Sequence, residues 1–374
     1  MNQRVEMELK LQKARRILSL FQHHDAIAGT SRQHVMKDYS LLLHNATQLA
    51  RSVFESAAAI LSGSRVLVLE YPKLPTETET LLEVNIAVLG SVIINVYNSL
   101  PYDMEEIVQV RVDTANVSVR NGEEELHGQI EPYIHLGEIA PNSFLLLHRK
   151  YHKNLSIPEN FYPMPSACVL EDKSKRITLA TDVAHGISQL PEGIEILLDR
   201  MLNQDDGKGL GSDPDSLPTD LLPVELRFSV LVEAISQAVT DSHSTYHTPA
   251  GHLNVQSLLY TPMITISGDV IPPLPFQSVL PCNYQLLTVR PVANGKRLMT
   301  IFNNGMACHT NTMTTCSGDL LSGLTSYLRS LNVVKVQETN LVGLKSITEE
   351  MPVENYNTSI EPYKFLNLLL TYSS

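Results

Sequence analysis

The sequence predicts a mainly β protein of the α+β class, in which a short antiparallel helical bundle is followed by β-sandwich domains. Apolar residues recur at helical spacing through the first sixty residues. From Gly63 onward, short β-branched runs separated by Pro, Gly, Asn and Asp take over. The length of 374 residues, 43% of them hydrophobic, is enough to bury two or three cores.

Two helices are predicted at the start of the chain. The first runs from Arg4 to about Gln22, and the second from Ser31 to Leu61, with Thr30 or Ser31 as its N-cap. Ala28 and Gly29 join them, so the pair forms a helical hairpin. The apolar residues that define the two stripes are Val5, Leu9, Leu11, Leu18 and Phe21, then Val35, Leu42, Leu49, Val53 and Ile60.

The strands that follow are short and closely spaced, as in sandwich or barrel-like domains. We divide the chain into a helical bundle (1–63), a first β domain (64–155) and a C-terminal β-sandwich domain (156–374). Loops are predicted over 203–224 and 237–251. The predicted strands cover 65–71, 107–112, 176–182, 194–199, 226–232, 284–292, 332–338 and 363–370.

Composition excludes some function classes. The formal net charge is −12, from 28 Lys and Arg against 40 Asp and Glu, and no basic cluster is present, so nucleic acid is a poor partner. No stretch of about 20 apolar residues predicts a membrane span. The first twenty residues are charged and amphipathic, unlike a signal peptide.

Cysteines and sequons leave the compartment open. The four cysteines form no CxxC pattern, although Cys308 and Cys316 are close enough in sequence to bridge a hairpin. Four N-x-S/T triplets hint at a secretory compartment, while the missing signal points the other way. The triplets begin at Asn45, Asn116, Asn154 and Asn357.

The segment QHHDAIAGT (22–30) is the most informative in the chain. His23, His24 and Asp25 place three metal or sugar ligands in one corner between two helices. One interpretation is structural, because histidine is favoured at a helix C-terminus and aspartate caps the next turn. The other is one corner of a zinc site, which needs further ligands from other elements.

With its flanks, LSLFQHHDAIAGTSRQHVMKDYS (18–40) closely resembles the zinc-binding turn of the class II α-mannosidases, glycoside hydrolase family 38, and most of all their Golgi α-mannosidase II branch. Later segments agree in order with the same family. They are VYNSLPYDMEEIVQVRV (96–112), ENFYPMPSACVLEDKSKRITLAT (159–181), LLDRMLNQDDGKGLGS (197–212), DSHST (241–245) and LPCNYQLLTVR (280–290).

The resemblance implies a role for four residues. His24 matches the zinc-ligating histidine, and Asp25 the aspartate that hydrogen-bonds the bound mannose beside the metal. Tyr162 matches a tyrosine that reaches into the same pocket, and Arg290 an arginine that contacts the sugar through its backbone. His23 is expected to be a packing residue or to support the ligands. Asp205 and Asp206 are better explained as a solvated turn.

The activity implied is zinc-dependent hydrolysis of mannose from N-glycans with retention of configuration, through a covalent glycosyl-enzyme. The family's nucleophile, its acid/base and its other three zinc ligands lie on an α/β domain that these residues do not match. We therefore expect this chain to be inactive by itself. The family also has a block of strands that is missing between about Leu145 and Asn160. Golgi lumen or another secretory compartment is the location implied.

Two alternatives stay open. The chain could be a non-catalytic β-sandwich protein that binds carbohydrate or another protein, which predicts an apolar surface patch covered by a partner. It could also be a truncated product without a stable fold, because deleting a strand block leaves unpaired edges.

Overall fold

The computed structural model describes most of the helical region and much of the β region. The described residues are 3–69, 89–100, 110, 112–114, 116–121, 124–126, 144–148, 161–171, 174–190, 193–198, 226–234, 247–272, 280, 283–305 and 320–373. The predicted loop 203–224, most of 237–251, the boundary at residue 155 and the pair Cys308–Cys316 lie outside them. The two loops, the cysteine pair and the division into three domains therefore stay predictions.

A helical hairpin opens the described structure. Helix α1 (Gln3–Phe21) packs against α3 (Gln33–Ser62), with the single turn α2 (His24–Ile27) between them. Phe21 meets Tyr39 edge-to-face at the closed end, with ring centroids 5.8 Å apart. Helix α3 ends where Gly63 adopts the left-handed conformation (φ 72°), which glycine tolerates best.

Glu55 ties the long helix to the first strand. Its carboxylate accepts hydrogen bonds from Arg51 Nε (2.8 Å) and from the backbone N–H of Val68 (3.0 Å). Strand β1 (Val66–Val68) is an edge of a three-stranded antiparallel sheet whose other members are β2 (Ile93–Tyr97) and the central β12 (Met263–Ser267). This sheet therefore joins chain segments almost 200 residues apart.

Two antiparallel sheets pack face to face in the middle of the chain. One has the order β5-β10-β9-β6, from strands Phe144–His148, Gly193–Leu197, His185–Leu190 and Phe161–Met164. The other has the order β11-β8-β7, from strands Phe228–Ala234, Lys175–Thr181 and Ala167–Glu171. A shared core cluster fills the space between them, built from Met164, Ile194 and Ile196 of the first sheet and Leu170 and Leu179 of the second.

The C-terminal region is a five-stranded antiparallel sheet covered by a helix. Its order is β13-β14-β17-β15-β16, from Tyr284–Pro291, Arg297–Asn303, Phe365–Tyr372, Val333–Glu338 and Met351–Pro352. Helix α5 (Leu320–Ser330) lies on it, and Leu324 and Leu328 are fully buried in a core cluster of 13 residues. Short turns of 3₁₀ helix form at Ala293–Gly295 and Val353–Asn355, and β3 (Val119–Asn121) pairs with β4 (Glu124–Leu126).

The predicted fold class is confirmed: a helical hairpin precedes antiparallel sheets. Two helices inside the β region were not predicted, namely α5 and α4 (Pro249–Leu259). The predicted N-cap was wrong, because Arg32 occupies that position in α3 and makes no side-chain capping bond. Ile60, assigned to the buried stripe, is 58% exposed.

Candidate functional site

The corner between α1 and α3 is held by hydrogen bonds to Asp25. Its backbone carbonyl accepts the N–H groups of Thr30 and Ser31, both at 3.0 Å, and the Ser31 hydroxyl at 3.1 Å. The Thr30 hydroxyl donates to Asp25 Oδ1 at 3.0 Å. Thr30 and Ser31 therefore secure the preceding turn instead of capping the following helix, which is why the predicted cap is displaced to Arg32.

His23 begins the single-turn helix. Its Nδ1 accepts the backbone N–H of Asp25 at 3.3 Å, so it is the N-cap of α2. The ring of His23 lies against that of His24, with centroids 4.4 Å apart. This agrees with the supporting role expected of His23, because one ring nitrogen is engaged by the backbone while the ring packs on its neighbour.

The corner brings three potential ligands together. One ligand atom from each of His23, His24 and Asp25 lies within 4.8 Å of the others. His24 Nε2 is 3.5 Å from Asp25 Oδ2, and the two side chains are 85% and 46% exposed. Within the described part of the chain, this is the one group of three or more His, Cys, Asp or Glu side chains close enough to share a metal ion.

The geometry is compatible with a zinc ion on His24 with the Asp25 carboxylate beside it. Zinc takes imidazole nitrogen and carboxylate oxygen at about 2.0–2.2 Å, so two ligand atoms on a tetrahedral ion lie about 3.4 Å apart. The 3.5 Å between His24 Nε2 and Asp25 Oδ2 is compatible with that separation. Thr30 engages the other carboxylate oxygen and so fixes the orientation of Asp25. His24 alone does not complete a tetrahedral site, so further ligands would have to come from elsewhere.

Tyr162 and Arg290 lie on other elements. Tyr162 is on β6 and pairs with Ile187 of β9, and its hydroxyl oxygen is buried with no hydrogen-bond partner in the described structure. Arg290, near the end of β13, lines a groove against α1. No hydrogen bond or ion pair between described residues joins either side chain to His24 or Asp25. The corner is therefore assembled from neighbouring residues, whereas the roles of Tyr162 and Arg290 stay predictions.

A second polar cluster lies under α4, away from the corner. Arg176 of β8 is fully buried and donates from Nη1 to Glu171 Oε2 at 3.1 Å. On the other side of β8, Arg176 pairs in register with Glu233 of β11. The Thr248 hydroxyl donates to Glu233 Oε2 at 2.7 Å while accepting the N–H of Gly251 at 2.9 Å. These bonds fix the first turn of α4 on the sheet.

Two histidines beside this cluster have lowered pKa values. Burial, and then the neighbouring His247, lower the pKa of His252 to about 4. Burial and the Arg176 charge also lower the pKa of His247. Both shifts have the direction expected when the charged form loses water and faces a like charge.

Two residues were not among the predicted site residues: Thr30 at the corner and Arg15 in the groove beside Arg290. Thr30 was assigned to a helix cap, although its hydroxyl positions Asp25. The sequence signal for this contact is the turn at Ala28 and Gly29, between Asp25 and Thr30, since it folds Thr30 back onto the preceding turn. Arg15 was not singled out, yet it lines the same groove as Arg290. No local pattern in the sequence indicates that contact.

Comparison with known proteins identifies relatives of the chain. Residues 2–61 match the model of the α-mannosidase middle domain. The chain is 30% identical over 247 residues to alpha-mannosidase 2x of Mus musculus, covering 59% of this chain and 21% of that protein. It is 28% identical over 165 residues to alpha-mannosidase 2 of Homo sapiens (40% and 14%) and 33% identical over 138 residues to alpha-mannosidase 2 of Drosophila melanogaster (35% and 12%).

These matches cover parts of much longer proteins. The matched region is about a fifth or less of the length of each of these three relatives. The match to the middle domain includes the whole corner from α1 to the end of α2 and almost all of α3. No described helix is both long and apolar enough to cross a membrane.

Proposed function

Because the chain belongs to the class II α-mannosidases, glycoside hydrolase family 38, and corresponds to a C-terminal portion of them, we propose that it forms part of the mannose pocket of a zinc-dependent, retaining enzyme. The substrates are mannose-containing N-glycans, and the site of action is the Golgi lumen or another secretory compartment. The observation that supports this best is the corner itself: His24 Nε2 and Asp25 Oδ2 lie 3.5 Å apart within the segment that matches the middle domain.

Each residue has a distinct part in this proposal. His24 supplies a zinc ligand through Nε2, and Asp25, beside the metal, hydrogen-bonds the mannose through one carboxylate oxygen while Thr30 holds the other. Zinc, when bound, acts as a Lewis acid on the sugar hydroxyls. Tyr162 would add a phenol hydroxyl, and Arg290 a backbone group, as further contacts to mannose.

Hydrolysis with retention needs a nucleophilic carboxylate and an acid/base carboxylate about 5 Å apart. We assign neither role to a residue of these 374. The chain therefore binds and orients the sugar, and by itself it turns over no mannoside.

Zinc titration of the 374-residue protein tests whether His24 is a zinc ligand. We expect added Zn²⁺ to shift the NMR signals of the His24 ring, weakly because few ligands are present, and His24→Ala to abolish that response. His34→Ala is the matched control, because His34 is an exposed histidine of α3 that lies outside the ligand group. An unchanged zinc response in His24→Ala would contradict the proposal.

A non-catalytic binding protein is the second candidate. It needs only the β region, where the sandwich and the five-stranded sheet each have a core cluster of their own. The two candidates differ in one result. Mannoside binding that needs both zinc and His24 supports the mannosidase pocket, whereas binding that is unchanged by a chelator supports the non-catalytic protein.

A further inference from the structure

Helix α1 has a second face, which lines a groove against β13. The face towards α3 includes the buried Ala14 and leads to Phe21, which contacts Tyr39. Another row, spaced three or four residues apart, passes through Val5, Leu9 and Gln12 and ends near Arg15. This row faces the end of β13, and Val5 and Leu9 remain 44% and 49% exposed.

A groove of about 220 Å³ separates this face of α1 from β13. Its size is below the 300–1,000 Å³ typical of drug-sized ligands, so it suits an occupant about as large as one sugar ring. The lining combines apolar side chains with polar ones. The residues are Val5, Glu8, Leu9, Gln12 and Arg15 of α1 and Arg290 and Pro291 of β13.

The charges in the groove favour an anion. Arg15 and Arg290 both line it, and neither is in an ion pair with another described residue. Glu8 is the one acidic lining residue, and Arg4 engages its carboxylate at 3.2 Å. The groove therefore holds two guanidinium groups that are available to a ligand. It is locally positive, although the formal net charge of the chain is −12.

We propose that the groove between α1 and β13 binds a phosphate group carried by a small, sugar-sized ligand. Arginine is suited to this because its planar guanidinium donates paired hydrogen bonds to phosphate oxygens. Gln12 adds an uncharged side chain that both donates and accepts, as a sugar hydroxyl requires. Val5, Leu9 and Pro291 offer an apolar wall for the face of a sugar ring. Phosphate binding here needs neither zinc nor mannose, so this inference does not rest on the proposed function.

Isothermal titration of the full 374-residue protein with phosphate compounds tests the proposal. Inorganic phosphate, glucose 6-phosphate and unphosphorylated glucose are titrated separately at low salt, where charge interactions are least screened. We expect glucose 6-phosphate to bind in a saturable way. Arg15→Gln and Arg290→Gln should each weaken binding about tenfold, as for loss of one charge-assisted hydrogen bond.

Arg16→Gln is the matched control. Arg16 is the exposed arginine next to Arg15 on α1, and it does not line the groove. If glucose 6-phosphate binds more tightly than phosphate, the site recognises a sugar phosphate; if the two bind equally, it recognises the phosphate group itself. Equal weakening by Arg16→Gln, equal binding of glucose, or no saturable phosphate binding would each overturn the proposal.

Discussion

The helical hairpin and the five-stranded sheet bury very different side chains. In α1, α2 and α3 the buried residues are Ala14, Ala26, Ala46, Val53 and Ala58, four of them alanines. The sheet and α5 instead enclose a core of 13 residues, most of them Leu, Ile, Met and Val. Apolar burial stabilises by roughly 25 cal/mol per Å², so the sheet carries much more of the folding free energy. The three potential metal ligands His23, His24 and Asp25 lie on the weakly buried part.

The hairpin also leaves large apolar side chains in water. Leu18, Leu20, Ile27 and Leu41 are 48–61% exposed. The corner therefore depends on hydrogen bonds to Asp25 rather than on a core of its own. A site that is built this way is easily disturbed locally while the sheet stays folded.

The largest expected effect tests this division directly. Leu328→Ala removes a fully buried side chain from the 13-residue core and should lower the free energy of unfolding by about 2–5 kcal/mol. Leu18→Ala, on the exposed side of α1 at 54% exposure, should change it by less than about 0.5 kcal/mol. Urea unfolding followed by circular dichroism measures both. Similar losses for the two variants would refute the contrast.

The second effect is acid sensitivity, which we place in the β region under α4. The pKa of His252 is about 4 in the folded protein, against 6.5 for a free histidine. Because this pKa is lowered on folding, stability is full above about pH 6.5 and falls as the pH drops towards 4. The unfolded chain takes up the proton first, and the whole difference amounts to about 3 kcal/mol. His247, whose pKa is also lowered, adds in the same direction.

His252→Gln should remove most of this loss of stability at low pH. Thermal unfolding between pH 8 and pH 4 is the measurement, with His34→Gln as the control because that side chain is exposed and changes no buried group. Among the charged neighbours, His247 before α4 acts on His252, and Arg176 on the sheet acts on His247. An equally steep acid loss in His252→Gln would place the sensitivity elsewhere.

The sequence predicted those elements whose signal is local. The apolar period placed both long helices within about two residues of their observed ends, and β-branched runs located strands such as β8, β11 and β17. It missed α4 and α5, although Thr248 followed by Pro249 is a helix start signal, and Leu320, Leu324 and Leu328 recur every four residues. The predicted loop 237–251 overlaps the first turn of α4, and no element was predicted over α5.

Long-range pairing was beyond local patterns. Nothing in residues 66–68 indicates that they pair with 265–267, because register is decided by which faces become buried together. The same limit applies to the site. His24 and Asp25 are neighbours in sequence, so their proximity was predictable, whereas the position of Arg290 against α1 depends on the packing of the whole chain.

The smallest effect concerns the hydrogen bond that positions Asp25. Thr30→Val removes the hydroxyl that donates to Asp25 Oδ1 at 3.0 Å while keeping the β-branched shape. We expect the free energy of unfolding to fall by about 1 kcal/mol, the usual net value of such a bond, because the site is partly exposed. Thr30→Ser retains the hydroxyl and should stay close to the native value. Hydrogen exchange at the amides of Thr30 and Ser31, which donate to the Asp25 carbonyl, reports on the corner separately from the sheet. Faster exchange there in Thr30→Val, with unchanged exchange in β14 and β17, is the expected outcome. Uniform acceleration across both regions would mean that hairpin and sheet unfold as one unit.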